Sequence, residues 1–124
     1  MKLSVVVPVY NEVRCIAASI ERLLAVPLAH ELEVVIVDNG SDDGTRELLQ
    51  DRLPAWRPYG VRLIEVDRPL GKGAAVLLGM RDCAGDYFLV HDADLEYDPA
   101  DFPALLAPLL AGSCDLVNGT RFGR

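Results

Sequence analysis

Residues 88–101, FLVHDADLEYDPAD, set an apolar run directly against five carboxylates, Asp92, Asp94, Glu96, Asp98 and Asp101. Acids crowded in this way repel one another unless something positive joins them. Asp92 and Asp94 flank Ala93 at i and i+2, and on extended chain such side chains point the same way, so both can approach one hard divalent cation, directly or through water. An EF-hand loop beginning at Asp92 is excluded, because Tyr97 stands where that loop needs Gly and Pro103 where it needs Glu. The plain alternative is a solvated acidic face in which Asp98 caps a helix opened by Pro99. His91 reads as structural, since one His beside two acids lacks the partners of a zinc site.

Three further segments carry residues suited to binding. In PVYNE, Pro8 ends a strand ladder and Asn11 can cap the helix that follows, which leaves Tyr10 and Glu12 as a ring and an acceptor that a nucleobase could use. In VDNGSDDGT, Gly40 and Gly44 permit positive φ or close approach of a ligand to the backbone. There Asp38 or Asn39 can accept a hydrogen bond from the imide N–H of a base, and Ser41 and Asp42 are placed to cap a helix. In DRPLGKGAA, Lys72 lies between two glycines at a helix start. The segment is not a P-loop, because no GxxxxGK followed by Ser or Thr is present. It is either an ordinary helix start or an anion site, with backbone N–H groups, Lys72 and Arg68 as counter-charges to a phosphate.

These residues need elements to hold them. Apolar, β-branched runs at 3–7, 33–37, 61–66, 87–90 and, more weakly, 115–117 predict buried strands. Helical periodicity predicts helices over 12–25, 43–53, 72–83 and 102–110, with Ile16, Ile20, Leu23 and Leu24 forming one stripe. Residues 54–60, PAWRPYG, read as a Pro- and aromatic-punctuated loop with Trp56 packing inward. Near-continuous hydrophobicity in the strands implies cover on both faces, the habit of parallel sheets. The alternation of strand and helix predicts a doubly wound α/β domain over residues 1–124, with ligands gathering beyond the carboxyl ends of the strands.

Composition narrows the function classes. The 124 residues are 51% hydrophobic, enough for one domain with a real core, and the formal charge of −7 argues against a broad nucleic-acid or anionic-membrane surface. The three cysteines, Cys15, Cys83 and Cys114, show no metal-ligand spacing and are expected as reduced thiols, which suits a cytoplasmic setting. No run approaches ~18 apolar residues and no signal-peptide pattern opens the chain, so neither a transmembrane segment nor export is expected.

PVYNE, VDNGSDDGT, GKGAA, DADLEYDPADFP and GTRF at 119–122, in this order and spacing, resemble the nucleotide-sugar-binding half of family 2 glycosyltransferases, nearest their polyprenyl-phosphate (dolichyl-phosphate mannose synthase-like) branch. The resemblance covers essentially the whole chain. It implies a Rossmann-like GT-A nucleotide-diphospho-sugar transferase fold, a mostly parallel sheet with helices on both faces. It also implies transfer from a UDP- or GDP-sugar to a polyprenyl phosphate or glycan, dependent on Mg²⁺ or Mn²⁺. Pro8, Tyr10, Glu12, Asp38 and Asn39 would contact the nucleoside, and Asp92, Ala93 and Asp94 would form the DxD motif. Asp92 and Asp94 would hold the metal, with Glu96 as a further ligand. Lys72 would lie near the base or phosphates, and Arg121 near a donor or acceptor phosphate. Two departures stand out: Asn39 replaces the second acid of the usual VDDGS, and the acceptor-binding half that normally follows GTRF is not expected within these 124 residues. A cytoplasmic location is expected, with a peripheral place at the cytoplasmic membrane face as its variant. An alternative is a non-catalytic nucleotide-sugar module completed by another chain. A sugar-1-phosphate nucleotidyltransferase is disfavoured, since PVYNE is not the Gly-rich basic loop it would need. An exposed sheet edge would favour self-association.

Overall fold

Alternate valines of one strand, Val5 and Val7 against Val6, are all excluded from solvent, which requires cover on both sides of the sheet they build. The computed structural model describes residues 2–25, 31–83, 85, 87–91 and 116–118. Five strands, β1 (Lys2–Val9), β2 (Glu31–Asn39), β3 (Val61–Val66), β4 (Tyr87–Val90) and β5 (Leu116–Asn118), form one sheet in the order β3-β2-β1-β4-β5. Every neighbouring pair is parallel. Strand runs read from the sequence are all present, with β1 and β2 extended at both ends.

Helices α1 (Ile16–Leu24) and α2 (Thr45–Trp56) cover one face. Ile16, Ile20, Leu23, Leu49 and Trp56 pack there with Leu3, Val5, Val7, Val9, Val34 and Ile36. On the other face lies α3 (Lys72–Asp82), whose Ala75 joins Val6, Val35 and Val37. Gly79 lets α3 approach closely, since a Cβ there would stand 2.5 Å from Val6 Cγ1. Each fully buried Val, Leu or Ile contributes about 1.5–3 kcal/mol, so the two small clusters together dominate the stability of the sheet.

The expected loop at 54–60 is a correction. α2 runs through Pro54 to Trp56 and continues as a 3-10 turn, Arg57–Tyr59. A proline inside a helix costs about 3 kcal/mol, chiefly through one lost hydrogen bond and a clash with the preceding turn. Burial of Trp56 against the core offsets most of that, at about 2–3 kcal/mol, so the last turn forms despite its local sequence. The helix expected over 102–110, with its cap at Asp98 and Pro99, lies outside the described residues, as does Cys114. Cys15 and Cys83 are free thiols. Among the described residues no helix is long and apolar enough to cross a membrane.

From β1 the chain proceeds outward to β2 and β3, then returns to lay β4 on the other side of β1. The carboxyl ends of β1 and β4 therefore form a topological switch point, where open α/β sheets hold ligands.

Candidate functional site

β1 outruns its neighbour at that switch point. β4 pairs β1 only through Leu3–Val6, and beyond this ladder the His91 N–H still donates to the Val6 carbonyl at 2.9 Å. Pro8 lies past the end of the β4 ladder, where its missing N–H breaks no ladder pair among the described residues, while it remains opposite Val37 of β2. The chain then turns with Asn11 at φ +52 and leaves the Tyr10 ring 47% exposed. Glu12 is half-buried, and its carbonyl accepts N–H groups from Cys15 and Ile16 to start α1.

Asn11 does not cap α1. Instead it joins its own turn to the one after β2: its N–H donates to Ser41 Oγ at 2.9 Å, its Nδ2 donates to Asp42 Oδ1 at 3.1 Å, and its Oδ1 accepts the Asp42 N–H at 2.9 Å. Ser41 and Asp42, read as caps of α2, are used in this stitching. The α2 start is organised by Asp43, which accepts the Thr45 N–H at 3.0 Å and the Thr45 hydroxyl, while Thr45 Oγ1 accepts the Glu12 N–H at 3.0 Å. Gly40 and Gly44 both adopt positive φ, as the turn requires.

Thr45, by hydrogen bonding, holds the Asp43 carboxyl below its ordinary value of 3.8. A lowered folded value means that stability is present above the unfolded pKa and lost as pH falls through the folded one. The stability difference between the wild type and Asp43→Asn is therefore expected to be constant above about pH 5 and to shrink as the pH drops through the carboxylate range. Urea unfolding at a series of pH values measures it; a difference that does not change with pH would contradict the assignment.

Behind the turns lies a second polar layer. Asp38 is 0% exposed; its Oδ2 accepts Arg46 Nε–H at 2.6 Å and its Oδ1 accepts the Ser41 N–H at 3.2 Å. Arg46 also donates through Nη2 to the Val66 carbonyl at the end of β3, and the hydrogen bond to Asp38 raises its already high pKa. Asn39 is 7% exposed, and its amide meets the backbone of Leu70 twice, Nδ2 donating to the carbonyl at 2.6 Å and Oδ1 accepting the N–H at 2.8 Å. Lys72 is exposed at the first residue of α3, after the N-cap Gly71.

The fold thus brings Pro8, Tyr10, Glu12, Asp38, Asn39 and Lys72 to the carboxyl side of β1, β2 and β3, with Asp38 and Asn39 inside it and Tyr10 and Lys72 at the surface. Asp92, Ala93, Asp94, Glu96 and Arg121 lie outside the described residues. Among the described residues no group of three or more His, Cys, Asp or Glu is arranged to hold a metal. Arg46 was not foreseen. The available signal was a cation in the first turn of a helix, which the macrodipole disfavours unless a carboxylate lies close by. The edge offers an aromatic face, buried acceptors behind it and the N-terminus of a helix with a lysine, a set suited to a base and an attached anion.

Comparison with known proteins shows the family and the fold. The family model described as Glycosyl transferase family 2 matches residues 4–124. The chain is 34% identical over 127 residues to a dodecaprenyl-phosphate galacturonate synthase of Rhizobium johnstonii, covering 100% of this chain and 37% of that protein. A mannosyltransferase from Pyrobaculum calidifontis, solved in complex with GDP-Man and Mn²⁺, is similar at a TM-score of 0.74 and 28% identity, over 82% of this chain and 30% of the other. Glucosyl-3-phosphoglycerate synthase from Mycobacterium tuberculosis, solved with Mn²⁺ and UDP-glucose, is similar at 0.66 and 27%, over 90% of this chain and 40% of the other. The chain spans well under half the length of each of these proteins. Its parallel sheet, strand order and helical cover are those of the GT-A fold expected from the sequence. The chain belongs to glycosyl transferase family 2.

Proposed function

We propose that this chain is the donor-binding part of a glycosyltransferase that takes a UDP- or GDP-sugar with Mg²⁺ or Mn²⁺ and passes the sugar to a polyprenyl phosphate or a glycan, at the cytoplasmic face of a membrane where the acceptor is a lipid. The observation that carries the reading is the joined carboxyl edge of β1, β2 and β3, where the Tyr10 turn, the Asp38–Asn39 layer and the start of α3 are tied together by hydrogen bonds. Support for the donor comes from the GDP-Man and UDP-glucose complexes of the similar structures, and for the acceptor from the name of the galacturonate synthase relative.

In this reading the base lies against Tyr10, with Pro8 and Glu12 beside it and Asp38 beneath, while the Asn39 amide is taken up by the Leu70 backbone. Lys72 and the N–H groups that open α3 face the phosphates. Gly71 and Gly73 support that role, because a Cβ at either would meet nothing within 4 Å among the described residues, leaving the backbone approachable. Asp92 and Asp94, with Glu96, are the residues that would hold the metal, which when bound neutralises charge developing on the departing diphosphate. Arg121 would meet a donor or acceptor phosphate. An acceptor phosphate is already anionic near neutrality and needs no side-chain base, whereas a sugar hydroxyl would need one.

Titration calorimetry of the chain with UDP and with GDP, each with and without Mn²⁺, tests the proposal. Metal-dependent binding of one nucleotide is expected; binding of neither would defeat it.

A further inference from the structure

We propose that Asn39 is a positioning residue: its amide clamps the loop 67–71 to the end of β2 and thereby aims the N-terminus of α3 at the diphosphate. The proposal rests on the donor-site reading above.

Among the described residues the loop has little apolar packing to hold it. Residues 67–74 are all exposed, including the apolar side chain of Leu70. Burial therefore cannot fix their path. Among the described residues, three contacts, one from α2 and two from the end of β2 and the turn after it, do so. Arg46 Nη2 donates to the Val66 carbonyl where the loop begins. Gly40 allows the backbones to touch, since a Cβ there would stand 2.5 Å from Pro69 N and 2.7 Å from Arg68 C. Asn39 then takes both polar groups of Leu70, its N–H and its carbonyl, in the two-point pattern that one strand residue offers another.

The chemistry of residue 39 decides whether this pairing exists. The Asn39 amide accepts from the Leu70 N–H and donates to the Leu70 carbonyl together, whereas an ionised carboxylate can only accept. An aspartate would keep the first contact and turn a charged oxygen on the carbonyl in place of the second. The loop residue that is held lies one position before Gly71, the N-cap of α3, whose carbonyl accepts the Ala75 N–H. Fixing Leu70 therefore fixes the start of the helix, and with it the N–H groups and Lys72 that the donor phosphates meet. Asn39 acts through Leu70, and its effect falls on the phosphates and not on the base.

The test compares wild type with Asn39→Asp, close in shape, and with Asn39→Ala. Two-dimensional NMR gives hydrogen exchange at the Leu70 amide, and titrations measure affinity for uridine or guanosine beside that for UDP or GDP with Mn²⁺. Leu70 exchange is expected to rise by about tenfold or more in Asn39→Ala, since its acceptor is gone. Loss of both contacts is expected to weaken nucleoside diphosphate binding by about tenfold in that variant, while nucleoside affinity stays unchanged. Asn39→Asp is expected to fall between the two. Equal losses for nucleoside and nucleoside diphosphate would make Asn39 a base contact and overturn the proposal, as would unchanged Leu70 exchange in Asn39→Ala. A wild-type chain that binds neither nucleotide would overturn the donor-site reading and the phosphate role with it, and the exchange result would still decide whether Asn39 holds the loop.

Discussion

Replacing Asp38 by alanine is expected to destabilise the folded chain by about 3 kcal/mol, and replacing it by asparagine by about half as much. The carboxylate has no exposed surface and lies 2.6 Å from Arg46 Nε. Breaking a buried pair by removing one partner typically costs about 3–5 kcal/mol, because the remaining charge is left uncompensated. The Arg46 side chain is 23% exposed and has Glu65 at 3.8 Å as a second, weaker neighbour, which places this case at the lower end of that range. Asparagine retains an acceptor for the Ser41 N–H but not the charge. The double variant Asp38→Ala, Arg46→Ala is expected to be less damaging than the sum of the single ones, since the second change removes the stranded guanidinium. Urea unfolding measures all three. An Asp38→Ala chain within about 0.5 kcal/mol of wild type would mean that the pair contributes no more than a surface ion pair.

What the sequence made legible follows from how far apart the partners lie. The strands were readable because β-branched runs such as VVV at 5–7 and VVIV at 34–37 need cover on both faces whatever surrounds them. The order of strands and helices then implied the sheet and the edge where ligands gather. Pro54 misled, because its local effect is written in the sequence, whereas the compensating burial of Trp56 depends on a core assembled from distant strands. The same holds at the site. Asn11 with Ser41, and Asn39 with Leu70, are partners about thirty residues apart, so residue type pointed to helix caps and a base contact while the fold joined turn to turn and strand to loop. Gly40 was singled out for the right reasons, positive φ and close approach, but what approaches in the structure is the backbone of Arg68 and Pro69. The motif order identified the family; the motif spacing alone did not reveal which of its residues face inward.

With Mn²⁺ present, Asp94→Ala is expected to weaken nucleotide binding by about 100-fold, and without metal to leave it equal or slightly tighter. The two signs come from one cause. On the proposed reading Asp92 and Asp94 hold the cation, and loss of even an outer partner of a metal ligand costs about 10–100-fold, so loss of a ligand belongs at or beyond the upper figure. In the absence of the cation the same carboxylate opposes the diphosphate, within a chain whose formal charge is already −7, and its removal relieves repulsion. The metal-free difference should fade as ionic strength rises, because the screening length is only about 10 Å at 0.1 M salt. The loss seen with Mn²⁺ should fade less, since it reflects a missing ligand more than long-range charge. Calorimetry with the nucleotide that wild type binds, in EDTA and in Mn²⁺ at two salt concentrations, reads both signs. Removing an acid that merely lined a solvated face would tighten binding slightly in both conditions, and that result would take the metal away from Asp94.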